Sequence, residues 1–326
     1  MFEDDFGDER FTSKDALTLT ISTAVTFSGL LPAFASGSAP SSIGQSSKSP
    51  IIVVGAGGKT GRLVLSELAS RGLYAVGLTR DGRDLGVGGA TVSYGRGDVT
   101  EFDTMREAFK GAGGVIFTAS ASKKGGDAKH VDYLGVANTA RAALENNVPR
   151  LVVVSSGAVT RPESIGFKIT NVFGRIMDYK IAGEEALRSA YSSSGSTSST
   201  YTVVRPGGLS DSPSTGASGV EVSQGDILSA EIGREDVALV AVAALLSGGA
   251  KDATIECYGS KGETLFGAKT GASKLAKSLP EVPEKFIHRA ETFEGLLENL
   301  LSDKEMKETG IVGGYKGTKI EALEDL

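Results

Sequence analysis

The chain has 326 residues and a net charge of −6, and its 40% apolar and 23% charged residues are those of a globular protein long enough to bury a large core. One cysteine excludes an internal disulfide or a cysteine-rich zinc site, and two widely separated histidines, His130 and His288, exclude a histidine metal cluster. No long basic block is present to track a nucleic-acid backbone, and the 44 glycines show no triplet period.

The first residues are acidic (Glu3, Asp4, Asp5, Asp8, Glu9), and Ala16 to Ser47 carries no charge. The apolar part of that stretch is diluted by Thr and Ser and broken by Pro32, which makes it a poor membrane span. It reads better as a targeting peptide, with Ala33-Phe34-Ala35 as a small-x-small cleavage site and a mature chain starting near Ser36. A peripheral helix, with peripheral membrane association, is the alternative. Residues 36–49 have the Ser/Gly/Pro composition of a linker, so 1–49 is expected to be a targeting and linker segment.

From Pro50 to Gly259 short apolar runs alternate with helical patterns. Expected strands are Ile51–Val54, Leu73–Leu78, Thr91–Tyr94, Gly114–Thr118, Leu151–Ser155, Tyr201–Arg205 and Thr254–Cys257. Expected helices are Lys59–Arg71, stopped by Gly72, then Glu101–Phe109, Asp127–Glu145, Tyr179–Tyr191 and Arg234–Leu246. That alternation predicts an α/β, doubly wound parallel sheet. The Ser-rich stretch Tyr191–Thr200 is expected at the strands' N-terminal edge, away from any ligand. Residues 260–326 are charged and helix-prone, as in Glu291–Asp303, and are expected to form a C-terminal helical extension that packs on the core or docks a protein partner.

The strongest chemical feature is Gly55-Ala56-Gly57-Gly58-Lys59-Thr60-Gly61, between the first strand and the first helix. Four glycines there permit a sharp turn, close approach of a pyrophosphate to backbone amides, and tight packing of helix on strand. An acidic residue at the end of the second strand would hold the ribose of NAD; here that strand runs into Thr79-Arg80-Asp81, with Arg83 close by. An arginine clamps a 2′-phosphate through paired hydrogen bonds, so Arg80, helped by Lys59, predicts NADP(H).

These residues resemble the atypical, NAD(P)H-binding (NmrA-like and plastid) branch of the short-chain dehydrogenase/reductase superfamily. GAGGKTG, LTRDGR, GDV (Gly97-Asp98-Val99), VDYLGVAN, LVVVSSGAV, KIAGEEALR, YTVVRPGGL and GREDVA follow one another in order between Pro50 and Gly259. The resemblance implies a Rossmann domain over 50–259, with Gly55, Gly57, Gly58, Lys59, Thr60, Gly61, Arg80, Asp98, Val99, Thr118, Ala119, Lys180 and Pro206 at the cofactor. Catalytic relatives use Tyr-x-x-x-Lys, because a tyrosine needs a nearby cation to act as an acid–base group near neutral pH. Lys180 matches the family lysine, but Ile176 stands at the tyrosine position, and Tyr179 lies on a different side of the helix. Lys180, Ser156 and Ser155 are therefore the catalytic candidates left. Lys123, Lys124 and His130 read as a solvated loop, residues 210–231 as a lid, Cys257 as an inert core residue, and His288 carries no role.

Two functions remain open. One is an NADPH-dependent oxidoreductase passing hydride to a small quinone, flavin or enal acceptor, with the proton drawn from water. The other is a non-catalytic NADP(H)-binding redox sensor or assembly scaffold. A monomer is expected, in a plastid, with the cytosol as the alternative.

Overall fold

The computed structural model describes residues 42–122, 126–172, 174–227, 230–260 and 284–310. The expected targeting segment, Lys123, Lys124 and residues 261–283 lie outside the described residues.

Ile51–Val54 (β1) is buried along its whole length, as an uninterrupted apolar run requires when both sheet faces are covered. It pairs in parallel with Ala75–Thr79 (β2) and Gly114–Phe117 (β4), and β2 pairs with Val92–Arg96 (β3). Beyond β4 come Arg150–Val154 (β5), Thr200–Pro206 (β6) and Ala253–Gly259 (β10), all parallel. Val220–Ser223 (β8) joins β10 in antiparallel fashion and Ile287–His288 (β11) closes that edge, while Leu209–Ser210 (β7) pairs with Ile232–Gly233 (β9) separately. The order β3-β2-β1-β4-β5-β6 reverses between β1 and β4, which opens a crevice at the strands' C-terminal ends.

Helices cover both faces. Lys59–Ser70 (α1) buries Val64, Leu65 and Leu68 at helical spacing, and packs with Arg234–Leu246 (α6) on one face. Phe102–Ala108 (α2), Gly135–Glu145 (α3) and Ile176–Ser194 (α5) cover the other, where Phe109, Val136 and Leu187 meet the alternate residues of β1 and β5. Ser164 caps a short helix, Ile165–Asn171 (α4), that packs on α5. The expected helix Asp127–Glu145 is present but opens into a π-helical turn over Lys129–Leu134.

Three expectations are revised. Glu291–Asp303 is not a helix: it is turns and a short 3-10 segment, Gly295–Leu297, because Asn299 adopts a left-handed φ of 58°. The helix begins only at Asp303 (Asp303–Glu308, α7), where Ser302 and Glu305 form a capping box. The lid expected at 210–231 contains β8, a fully buried strand of the main sheet; its Val-Glu-Val-Ser alternation is a strand pattern hidden in a Ser/Gly-rich stretch. The described end of the expected linker is anchored, with Ile43 in the core and the Gly44 carbonyl accepting from Tyr74 N–H at 2.8 Å. Residues 284–310 pack on the core, one of the two alternatives expected for the C-terminal extension. Asp303 Oδ2 accepts from Arg188 (2.8 Å), Tyr201 (2.9 Å) and Thr254 (2.9 Å), and Gln224 exchanges hydrogen bonds with the Leu301 backbone at 2.7 and 2.9 Å.

Candidate functional site

The glycine loop sits at the mouth of the crevice. Gly55 has φ 80°, and a Cβ there would lie 2.6 Å from the Ala119 nitrogen at the end of β4. A Cβ on Gly61 would lie 2.4 Å from the Gly55 carbonyl and 2.9 Å from Thr118 Oγ1, so α1 reaches the strand only because Gly61 has no side chain. Thr118 Oγ1 in turn donates to the Val54 carbonyl at 2.9 Å. The space beside Gly57 is open. Gly58 caps α1 in extended conformation without a side-chain bond, and no acidic residue occupies the first turn. The first amides of a helix have no intrahelical partner, so those of Lys59, Thr60 and Gly61 are left free of intrahelical bonds, an arrangement that suits an anion. Gly61→Val is expected to abolish saturable dinucleotide binding in calorimetry; native affinity in that variant would contradict this role.

The Lys59 ammonium pairs with Asp211 at 2.5 Å, and Arg234, at the start of α6, binds the same carboxylate. The Lys59 side chain is thus engaged by the segment after β7 and does not point to the end of β2, where Arg80 lies. At the ends of β2 and β3, Arg80 is exposed, and Arg96, in register with Thr79, donates to the Arg80 carbonyl at 3.3 Å and to Glu101 at 2.7 Å. Arg83 lies against Asp81 at 3.7 Å. Asp98 receives Thr100 N–H and O–H at 2.9 and 2.8 Å, and the carbonyl of buried Val99 accepts from Asn138 at 2.9 Å, which fixes the wall after β3.

At the other end, Lys180 Nζ lies 2.7 Å from Asp132 Oδ1. Asp132, from the π-helical turn, is buried and also accepts Ser120 Oγ at 2.8 Å and Ala121 N–H at 2.9 Å, so one carboxylate joins the loop after β4 to α5. Gly183 brings these elements together, since a Cβ there would lie 2.2 Å from the Asp132 carbonyl. A cavity of about 10 Å³, room for one water, is lined by Asp132, Ser155, Lys180 and Glu184 among others. Ser155 is turned into the core and donates to Glu184 at 2.5 Å, while Ser156 donates to the Gly157 carbonyl at 3.2 Å. Gly157 N–H binds the Pro206 carbonyl at 2.7 Å, linking the ends of β5 and β6. Ile176 packs beside Ala158, Phe167 and Met177, and Tyr179 lies under the Arg175 guanidinium.

Behind this end lies a buried ionic network that the sequence reading missed. Arg205 binds Glu184 through Nε (3.1 Å) and Nη2 (2.6 Å) and reaches Glu256 at 3.3 Å; Arg188 also binds Glu184, at 2.8 Å. Burial pushes the Glu184 carboxyl up, but the Arg205 and Arg188 guanidiniums override it and hold it at about 2. Burial dominates at Glu256, which is pushed up to about 8. The only hint was the charged residues inside GEEALR and VVRPGG, on otherwise core-facing elements. His130 bonds Asp127 at 2.8 Å in an exposed pair, Cys257 is fully buried, and His288 lies on β11.

A glycine loop that feeds a helix N-terminus at the switch point of such a sheet defines a dinucleotide-binding Rossmann domain. The chain belongs to the NAD(P)H-binding family, whose pattern matches residues 55–247. It is 30% identical over 216 residues to an uncharacterized chloroplastic protein of Arabidopsis thaliana, covering 60% of this chain and 71% of that one. A Bacillus halodurans protein assigned as an NAD-dependent epimerase/dehydratase superposes with a TM-score of 0.53 at 26% identity, over 71% of this chain and 99% of its own. A short-chain dehydrogenase/reductase of Veillonella parvula, solved in complex with NADP, shares the fold with a TM-score of 0.51 at 16% identity, over 68% of this chain and 98% of its own. The expected membership of an NAD(P)H-binding family with a Rossmann fold is thereby borne out.

Proposed function

We propose that this protein is an NADP(H)-dependent reductase of a small quinone, flavin or enal type of acceptor. The observation that carries the cofactor preference is Arg96 bonded to the Arg80 backbone at the ends of β2 and β3, where a carboxylate would serve NAD. When bound, NADPH supplies the hydride. The chain binds its phosphates with the amides of Lys59 to Gly61, places the arginines at the adenosine end, and holds the Lys180 ammonium on Asp132 at the nicotinamide end. Ile176 provides no hydroxyl, so the acceptor's proton comes from water. Location in a plastid is supported by the chloroplastic relative.

Arg80→Asp is expected to weaken NADPH roughly ten- to a hundredfold, the worth of about 1.5–3 kcal/mol for a charge-assisted hydrogen bond, while NADH changes little. Equal losses for both would remove the NADP assignment. Steady NADPH oxidation with a quinone, flavin or enal tests the reaction.

Ile176 in the tyrosine position, with Ser155 engaged by Glu184, favours a second reading as a non-catalytic NADP(H) sensor. Tight NADPH binding without turnover over that acceptor panel would decide for it. Deleting residues 260–326 does not separate the two readings, because it removes Asp303 and Leu301 from the core.

A further inference from the structure

The loop after β5, which carries Ser155 and Ser156, does not keep its shape through its own sequence. Ala158 has φ 65°, a left-handed conformation that costs an ordinary residue free energy and persists only where the surroundings impose it. Those surroundings come from a turn after β8. The Asp226 carboxylate, fully buried, accepts Ala158 N–H at 2.6 Å, Thr160 N–H at 2.9 Å and Thr160 Oγ at 2.6 Å. Arg161 answers in the other direction, donating to the Ile227 carbonyl at 3.0 Å. Asp226 is itself left-handed at φ 52°, and its turn is braced from behind by the bonds between Gln224 and Leu301.

We propose that Asp226 is the positioning residue for the nicotinamide end of the cleft: by capping Ala158 and Thr160 it shapes the Ser155–Ser164 loop into the wall against which the nicotinamide packs. This rests on the NADP(H) reading above. It acts at one end only. The glycine loop and Arg80 bind the adenosine and phosphate end on other elements, β1, α1 and β2. A loop that merely joins β5 to α4 needs no strained alanine capped by a buried carboxylate from the turn after a strand three places across the sheet.

The test uses the full-length chain and two nucleotides, NADPH and 2′,5′-ADP, the latter lacking a nicotinamide. Asp226→Asn keeps the size of the side chain but turns part of the acceptor into a donor facing the loop amides. It is expected to weaken NADPH at least fivefold and to diminish the fluorescence enhancement of bound dihydronicotinamide, while 2′,5′-ADP affinity stays within twofold. Adding Ala158→Gly, which adopts the left-handed turn without strain, is expected to recover most of the NADPH affinity and fluorescence. Unchanged NADPH affinity and fluorescence in Asp226→Asn would overturn the inference. So would parallel losses of both nucleotides that Ala158→Gly fails to rescue, since these mark a purely structural carboxylate. A wild type that binds neither nucleotide would overturn the proposed function, and this inference with it.

Discussion

Replacing Glu184 with Ala is expected to destabilise the protein by roughly 3–5 kcal/mol, seen as a lower urea midpoint. Its carboxylate is shared by two buried guanidiniums, Arg205 through two bonds and Arg188 through one, and it also accepts the Ser155 hydroxyl. Removing it leaves both cations without their common partner in a region closed to water. The cost is the desolvation of buried cations left only partly matched, Arg188 by Asp303 and Arg205 by Glu256, which exceeds the value of a neutral hydrogen bond. The loss is a large share of the ~5–15 kcal/mol that stabilises a typical folded domain. Glu184→Gln preserves the shape but not the charge, and is expected to lose nearly as much, whereas Glu101→Gln, in an exposed pair with Arg96, is expected to lose less than about 1 kcal/mol. Comparable midpoints for Glu184→Ala and Glu101→Gln would contradict the assignment of the network as a structural keystone.

Stability is expected to fall between about pH 5 and pH 8, a direction set by Glu256. Burial raises its carboxyl to about 8 in the fold, against the ordinary value of 4.5, so the folded state binds more protons than the unfolded one across that window. Stability from this group is complete below 4.5 and is lost as the pH rises through 8. The groups facing it are Arg205, which lowers its proton affinity, and Asp226, whose negative charge raises it. Glu184 works in the opposite sense: held at about 2, it contributes stability above 4.5 that is lost as pH falls toward 2. Each tenfold change in proton affinity corresponds to roughly 1.4 kcal/mol, so the alkaline limb should be easy to resolve. Urea midpoints at pH 5 and pH 8 measure it directly. Glu256→Gln, neutral at both, is expected to flatten the difference, and an unchanged slope in that variant would show that another group is responsible.

The serine loop illustrates how the network joins stability to function. Ser155 bonds the same carboxylate that anchors Arg205 and Arg188, so the end of β5 is registered against β6, α5 and, through Asp303, against α7. A substitution in this network is expected to reach the proposed nicotinamide end through position, by shifting the end of β5.

Much of this was visible from local pattern. Continuous apolar runs such as Ile51–Val54 and Leu151–Val154 declare buried parallel strands, because a strand covered on both faces has no polar alternation. Arg234–Leu246 was bounded correctly, with Gly233 before it and a break after its apolar run. The glycine loop revealed the turn and the tight packing of helix on strand, since the demand for missing side chains arises within seven consecutive residues. What escaped depends on residues far apart in the chain: Lys180 meets Asp132 across 48 positions, Asp226 holds Ala158 across 68, and Arg188 reaches Asp303 across 115. No local window contains both partners, and a charged residue in a core-facing segment does not reveal what neutralises it. Periodicity and glycine spacing therefore settle the parallel core of the sheet, the helices that cover it and the glycine turn. Folding decides which carboxylate answers which cation, because burial makes an unmatched charge too costly to leave alone.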